Sequence, residues 1–366
     1  MAAGITRITI EGYKSIVKEQ SIEIAPLTIL AGANSSGKSS MIQPLLLLKQ
    51  TLEAPFDPGP LLINGPTLKF TSSDQFLSGK GDAVRALRVS IDFGADRHGR
   101  VRFVKELGEL REAVTTDLMQ STDRARVFWP SSPVRHEITR LIHVRGLRGN
   151  PERTYPITAV GETFPGVFDN YVASIIYRWH LGLNDDLALN RDLKHLELGG
   201  SVLANRVNES ELELMVQATD EGDLFNIADV GFGVSQALPA LVALRVAKPE
   251  QMVYIEQPEL HLHPRAQNRM ADVLVSAAKR GVRVVVETHS TLLLTSIQTL
   301  VAKKELPAEI VRLHWFQRDP RTGVTEVTPA LLDQNGAFGD WPADFDDVVL
   351  STDKEYLDAV ESRTAG

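Results

Sequence analysis

An α/β architecture built on a mainly parallel central sheet is what this sequence predicts, on three observations. Short apolar, β-rich runs (PLTIL, MVYIE, VRVVVE) alternate with segments of helical pattern, which is how strands buried on both faces of a parallel sheet read. The stretch GANSSGKS, residues 32–39, stands directly between one such run and a helix. Alternating isoleucines at the N-terminus add an antiparallel β subdomain, and the middle of the chain reads as a helical insertion.

Taken in order, Ile5, Ile8 and Ile10, then Ile22 and Ile24, suggest a hairpin that feeds the buried strand Leu27 to Leu30. A helix is expected from about Lys38 to Glu53, with a kink at Pro44, which has no N–H to donate. LRVSIDFGA (87–95) and RVRFVKEL (100–107) read as strands around a polar turn, and VKELGELREAVTTDLMQ (104–120) as a helix. From Arg124 to Arg153 there are seven arginines, no lysines and two acidic residues, a run read as a solvated cationic face. Beyond it, ELELMVQATDEGDLFNIADV should form strand, turn and strand. A helix over Ser235 to Ala247, the strand MVYIE, a helix over Pro264 to Arg280, the strand VRVVVE and a helix over Thr291 to Lys304 complete the pattern. The expected divisions are 1–104, 105–200, 201–328 and 329–366.

With 366 residues and 43% hydrophobic content the chain can bury a large core. A net charge of −8 argues against a surface devoted to neutralising nucleic-acid phosphates, though it leaves room for a local basic groove. The absence of cysteine excludes disulfides, thiolate metal sites and Cys nucleophiles. No apolar run approaches the roughly 20 residues of a membrane helix, and MAAGITRITI has no apolar leader. A cytoplasmic protein without a membrane partner is expected.

Gly32, Gly37, Lys38 and Ser39 complete G-x-x-x-x-G-K-[ST]. In such a loop the glycines let the backbone approach an anion, and the amides of Asn34, Ser35, Ser36 and Ser40 turn toward phosphate oxygens at a helix N-terminus. Lys38 supplies a point charge and Ser39 a hydroxyl to Mg²⁺. No N-K-x-D follows to read guanine, so ATP is the expected nucleotide. MVYIEQPELHLHP sets Glu256 and Glu259 just past a buried strand, where one can hold Mg²⁺ and another orient water. ETHS ends the next strand, and His289 there can sense a γ-phosphate. HLHP and Asp344-x-Asp346 are weak metal patterns.

In GANSSGKS, DVGFGVSQALPAL, YIEQPELHLHP and ETHS the sequence resembles the ABC-type AAA ATPases of the soluble OLD, SMC and RecF-like group. The resemblance implies that Gly32 to Ser39 form the Walker A loop, and that Gly231, Gly233, Val234, Ser235 and Gln236 form the signature motif. It puts Glu256 at the Walker B position and His289 at the switch histidine, with His263 and Pro264 near a dimer seam. Gln75 is a candidate γ-phosphate and metal-side glutamine. NGAFGDWPADFDDV and RGLRGNPERTYP resemble one branch that carries a small C-terminal module. Where the family has Asp-Glu, this chain has Glu256-Gln257; glutamine cannot accept a proton as a carboxylate does. Either Glu259 takes the base role or hydrolysis gives way to nucleotide-set conformation, and slow hydrolysis is the reading taken.

The resemblance further implies a homodimer closed around ATP, the signature helix of one copy sealing the site of the other, with higher assembly open. A transporter subunit, a DNA-repair clamp using the arginine run, and an OLD-type nuclease with its own metal domain are the competing classes. The preferred expectation is a sensor or regulator ATPase of a bacterial anti-phage defence system, working with a separate effector such as a nuclease.

Overall fold

The computed structural model describes residues 4–79, 85–93, 97–106, 109–113, 133–182, 186–217, 219 and 222–339. In chain order the elements begin with β1 (Ile5–Glu11), β2 (Gln20–Glu23), β3 (Leu27–Gly32), α1 (Lys38–Leu52), β4 (Arg85–Phe93), β5 (Arg97–Glu106) and β6 (Glu109–Ala113). The middle holds α2 (Pro133–Arg140), β7 (Ile142–Val144), β8 (Tyr155–Pro156), α3 (Val172–His180), α4 (Asp186–His195), β9 (Ser201–Arg206), β10 (Glu211–Gln217) and β11 (Leu224–Asn226). The rest is α5 (Phe232–Val246), β12 (Met252–Glu256), α6 (Pro264–Lys279), β13 (Arg283–Thr288), α7 (Thr291–Ala302), β14 (Val311–Arg318) and β15 (Thr325–Ala330).

The central sheet runs β15-β14-β3-β13-β12-β7, parallel throughout except for the β14–β15 hairpin at one edge. The expected parallel core is therefore present, and the N-terminal strands form the expected antiparallel sheet, ordered β2-β1-β4-β5-β6. A smaller antiparallel group, β11-β10-β8 with β9 paired to β10, lies beside α3.

Alternation along each central strand sends side chains to two different cores. Leu27, Ile29, Ala31, Val253, Ile255, Val284 and Val286 pack under α3, α5, α6 and α7. Leu30, Met252, Tyr254 and Val285 face α1 and the antiparallel sheet. Burying a Val or Leu side chain fully is worth about 1.5–3 kcal/mol, so a register slip of one residue would exchange these faces at great cost. The same parity places Glu256 and Glu287, the one two residues past Tyr254 and the other two past Val285, toward α1.

Two expectations are corrected. The helix expected over 104–120 is instead the end of β5 and then β6, because β4 offers a free edge whose ladder pairs Arg85 to Phe93 with Lys105 to Arg97. The remainder of that stretch lies outside the described residues. Helix α5 starts at Phe232 rather than Ser235, capped by the extended backbone of Gly231. Helix α1 spans Lys38–Leu52 with Pro44 inside it, within a residue of the expected bounds. Asp344, Asp346 and most of the expected C-terminal module, including Trp341 and Pro342, lie outside the described residues.

Candidate nucleotide site

The phosphate loop leaves β3 at Gly32 and enters α1 at Lys38. Gly32 has φ 142°, Ser35 60° and Gly37 105°, the left-handed turns that curl a loop's amides toward one point. A Cβ on Gly32 would stand 2.2 Å from the Phe316 carbonyl oxygen, and one on Gly37 2.5 Å from Thr325 Oγ1. Both positions therefore demand glycine for space as well as for φ. Asn34 and Ser35 form the exposed tip, while Ser36 and Ser40 are buried. Thr325 braces the loop from behind, donating to the Ser36 carbonyl at 2.7 Å and lying 2.8 Å from Ser15 Oγ.

Lys38 is 3% exposed, and its Nζ donates to the carbonyls of Gly32 (2.9 Å) and Ala33 (2.8 Å). Burial pulls its pKa down to about 8, against the opposing pull of Glu287 and Glu259. Ser39 Oγ donates to Glu287 Oε1 at 3.0 Å, and the fully buried Tyr254 hydroxyl donates to Glu287 Oε2 at 2.8 Å. Burial raises the Glu287 carboxyl above its usual range.

Glu259 Oε1 accepts from Thr288 Oγ1 (2.8 Å) and from the His289 amide (3.0 Å). Its Oε2 is buried without a hydrogen-bond partner, and burial raises its pKa. Burial, then Lys38, lowers the His289 imidazole, with the Gly32 carbonyl opposing. So the loop of β3, the turn after β12 and the end of β13 converge, and the structure brings Lys38, Ser39, Glu259 and His289 together.

Glu256, expected at the Walker B position, takes its hydrogen bonds from another side than Ser39. Its Oε1 lies 2.9 Å from His143 Nε2 and its Oε2 accepts from the Gly146 amide at 3.0 Å, so it is bound toward β7. Burial pushes this carboxyl up, but His143 and Gly146 outweigh it and the net shift is downward. Gln257 adopts φ 46° and donates its amide to the Glu287 carbonyl at 2.7 Å. Gln75 is exposed, its Oε1 accepting from the Thr71 amide at 2.8 Å within its own loop. The signature residues open α5: Gly233 is half-buried, Ser235 Oγ donates to the Phe232 carbonyl at 3.0 Å, and Gln236 Nε2 reaches the Arg148 and Gly149 carbonyls.

Sequence reading missed four residues. Glu287 stood in ETHS, a lone carboxylate ending an otherwise apolar strand, and that oddity was the available signal. Tyr254 and His143, stacked at 5.3 Å and 13°, carried none. Arg148 was hidden in the arginine run, expected to be solvated. It is 5% exposed, and its guanidinium donates to the carbonyls of Arg145 (2.8 Å), Glu256 (3.0 Å) and Gln236. Arg145 and Arg153 pair with Asp169 and Asp229, Arg140 lies 4.0 Å from Glu137, and Arg135 donates to the Leu52 carbonyl. Arg124 and Arg126 lie outside the described residues.

Residues 167–295, which span α5, β12 and β13, match the family described as "AAA domain, putative AbiEii toxin, Type IV TA system". An Smc head bound to the C-winged helix domain of ScpA superposes with TM-score 0.55 over 90% of this chain and 98% of that one, at 16% identity. The fold is therefore that of an ABC-type ATPase head, and its C-terminal half carries the AAA-domain match. A second neighbour in fold is the Smc head with extended coiled coil bound to the C-terminal domain of ScpA, from Pyrococcus furiosus. It has a TM-score of 0.50 and 14% identity, over 90% of this chain and 96% of the other. The Old nuclease of Escherichia phage P2 is 21% identical over 350 residues, and the match spans 81% of this chain and 58% of the nuclease.

The site residues fit a nucleotide with its cation. The loop's positive-φ turns form a cradle that a Cβ would fill, and Lys38 can exchange two carbonyl oxygens for phosphate oxygens. Among the described residues no three His, Cys, Asp or Glu side chains form a metal cage. Mg²⁺ takes one or two carboxylates and completes its shell from phosphates and water, and the Ser39 hydroxyl with the carboxylate beside it is a donor set of that kind. No helix among the described residues is long and apolar enough to cross a membrane.

Proposed function

We propose that this protein is a clamp that binds ATP with Mg²⁺, closes as a homodimer around it and hydrolyses it slowly. Its place, on this reading, is as the sensor or regulator of a bacterial anti-phage defence system, acting through a separate effector protein. The observation that carries the clamp is that one chain offers two anion-receptive helix starts. One is α1 with Lys38 and Ser39. The other is α5, whose first-turn amides lack helical acceptors and whose Phe232 is 53% exposed. In the resemblance already described, the second start seals a site on the opposite copy. Bound nucleotide would supply the phosphate charge that both helix starts attract; Lys38 would hold it from one side, and Glu259 and His289 are the residues that would orient the attacking water.

The likeness to a nuclease supports a nucleic-acid-cutting effector as the downstream partner. Gln257 in the usual base position supports a second emphasis, in which nucleotide mainly sets conformation. Light scattering with ATP and a non-hydrolysable analogue tests the clamp. The wild type should pass from monomer to dimer, while Lys38→Ala, short of a charge-assisted contact worth about 1.5–3 kcal/mol, should need roughly 10- to 100-fold more nucleotide. A saturated wild type that stays monomeric would end this reading.

A further inference from the structure

Glu256 occupies the position from which the metal-side carboxylate is expected, yet both of its oxygens are engaged on the side away from the phosphate loop. Oε1 is held by His143 at 2.9 Å and Oε2 by the Gly146 amide at 3.0 Å, and both partners belong to β7 or the turn after it. In the sheet β13 lies between β3 and β12, so Glu287 is one strand nearer to Ser39 than Glu256 is. Parity sends its side chain to the α1 face, where it meets the loop serine directly at 3.0 Å. Tyr254, two residues before Glu256, fixes the other oxygen at 2.8 Å. The carboxylate is 7% exposed and Tyr254 wholly buried, so the pair has no competing solvent to turn toward.

We propose that Glu287, oriented by Tyr254, supplies the protein carboxylate of the Mg²⁺ site beside Ser39, and that Glu256 is a positioning residue anchoring the β7 turn through His143 and Gly146. The inference rests on the ATP-binding reading above and specifies its metal side. A hard cation bound with nucleotide takes the oxygens of Ser39 and Glu287 at the mouth of the phosphate loop. Removing the hydrogen bond that orients a ligating carboxylate typically weakens a metal site about 10- to 100-fold, which makes Tyr254 part of the same device.

The test is titration of a fluorescent ATP analogue in Mg²⁺ and in EDTA, with Mn²⁺ binding in the presence of nucleotide followed by electron paramagnetic resonance. Glu287→Gln should lose at least about tenfold in Mn²⁺ affinity and with it the gain in nucleotide affinity that Mg²⁺ gives over EDTA, and Tyr254→Phe should lose Mn²⁺ affinity in the same direction. Glu256→Gln should keep the metal dependence and lower the melting temperature. Wild-type metal dependence in Glu287→Gln, or its loss in Glu256→Gln, overturns the proposal. Should Glu287→Gln not fold, as judged by circular dichroism, unchanged metal affinity in Tyr254→Phe overturns it instead. A wild type that binds no nucleotide in either medium refutes the ATP reading itself, a result distinct from all of these.

Discussion

Glu259 keeps one carboxylate oxygen buried and unpartnered beside Thr288 and His289, an arrangement that costs about 1–3 kcal/mol where it serves no purpose. A base that must take a proton from water needs such a free lone pair, and its raised pKa moves it toward the operating range of general bases. Glu259→Gln should therefore lower phosphate release about 100-fold or more while ATP binding persists; equal turnover in the two proteins would remove Glu259 from the chemistry. A second residue-level prediction concerns His314 on β14, which is 1% exposed, its Nε2 3.1 Å from the Glu23 amide and 2.9 Å from the Glu23 carbonyl. Burial lowers its pKa against the opposing pull of Glu23. The unfolded chain thus takes up a proton as pH falls through the ordinary value near 6.5, while the folded chain resists, so this contribution to stability is full above that pH and is lost below it. The drop in melting temperature between pH 7 and pH 5.5 should be smaller in His314→Gln than in the wild type.

At the scale of elements, Arg148 joins three of them by their main chains: the turn after β7, the end of β12 and the first turns of α5. Burial lowers its pKa to about 10, opposed by Asp169, Glu256 and Glu259, so it stays cationic at neutral pH. Arg148→Ala would leave buried carbonyls unpaired and should cost about 2–5 kcal/mol in a denaturant melt. Arg148→Lys should not restore it, since an ammonium cannot reproduce the planar fork. The strands β3, β12 and β13 were legible in the sequence because an unbroken apolar run of strand length has few alternative homes. The β5–β6 hairpin was not, because Glu, Leu and Lys favour a helix locally and the pairing that overrides them comes from β4, distant along the chain. The same contrast holds at the site. Gly32, Lys38 and Ser39 are readable from spacing within one loop, whereas the bonds from Ser39 to Glu287 and from Glu256 to His143 depend on strand order, which no local spacing encodes.

Across the whole molecule, the antiparallel sheet and the central sheet share a core in which Ile8, Ile10, Leu87 and Val89 pack with Leu30, Tyr254 and Val285. The five described arginines of the cationic run serve internal pairing, so the fold assigns that part of its positive charge to cohesion. Thr325 belongs to this larger frame: it is wholly buried at the start of β15, and it ties the loop after β1 through Ser15 to the back of the phosphate loop through Ser36. Two stretches near the start of the chain and one near residue 325 thus share one fastening. Amide hydrogen exchange should register it: when nucleotide arrives, residues 12–16, 33–37 and 324–327 should slow in concert, and Thr325→Val should let the first and last exchange at their own pace while the middle one still responds.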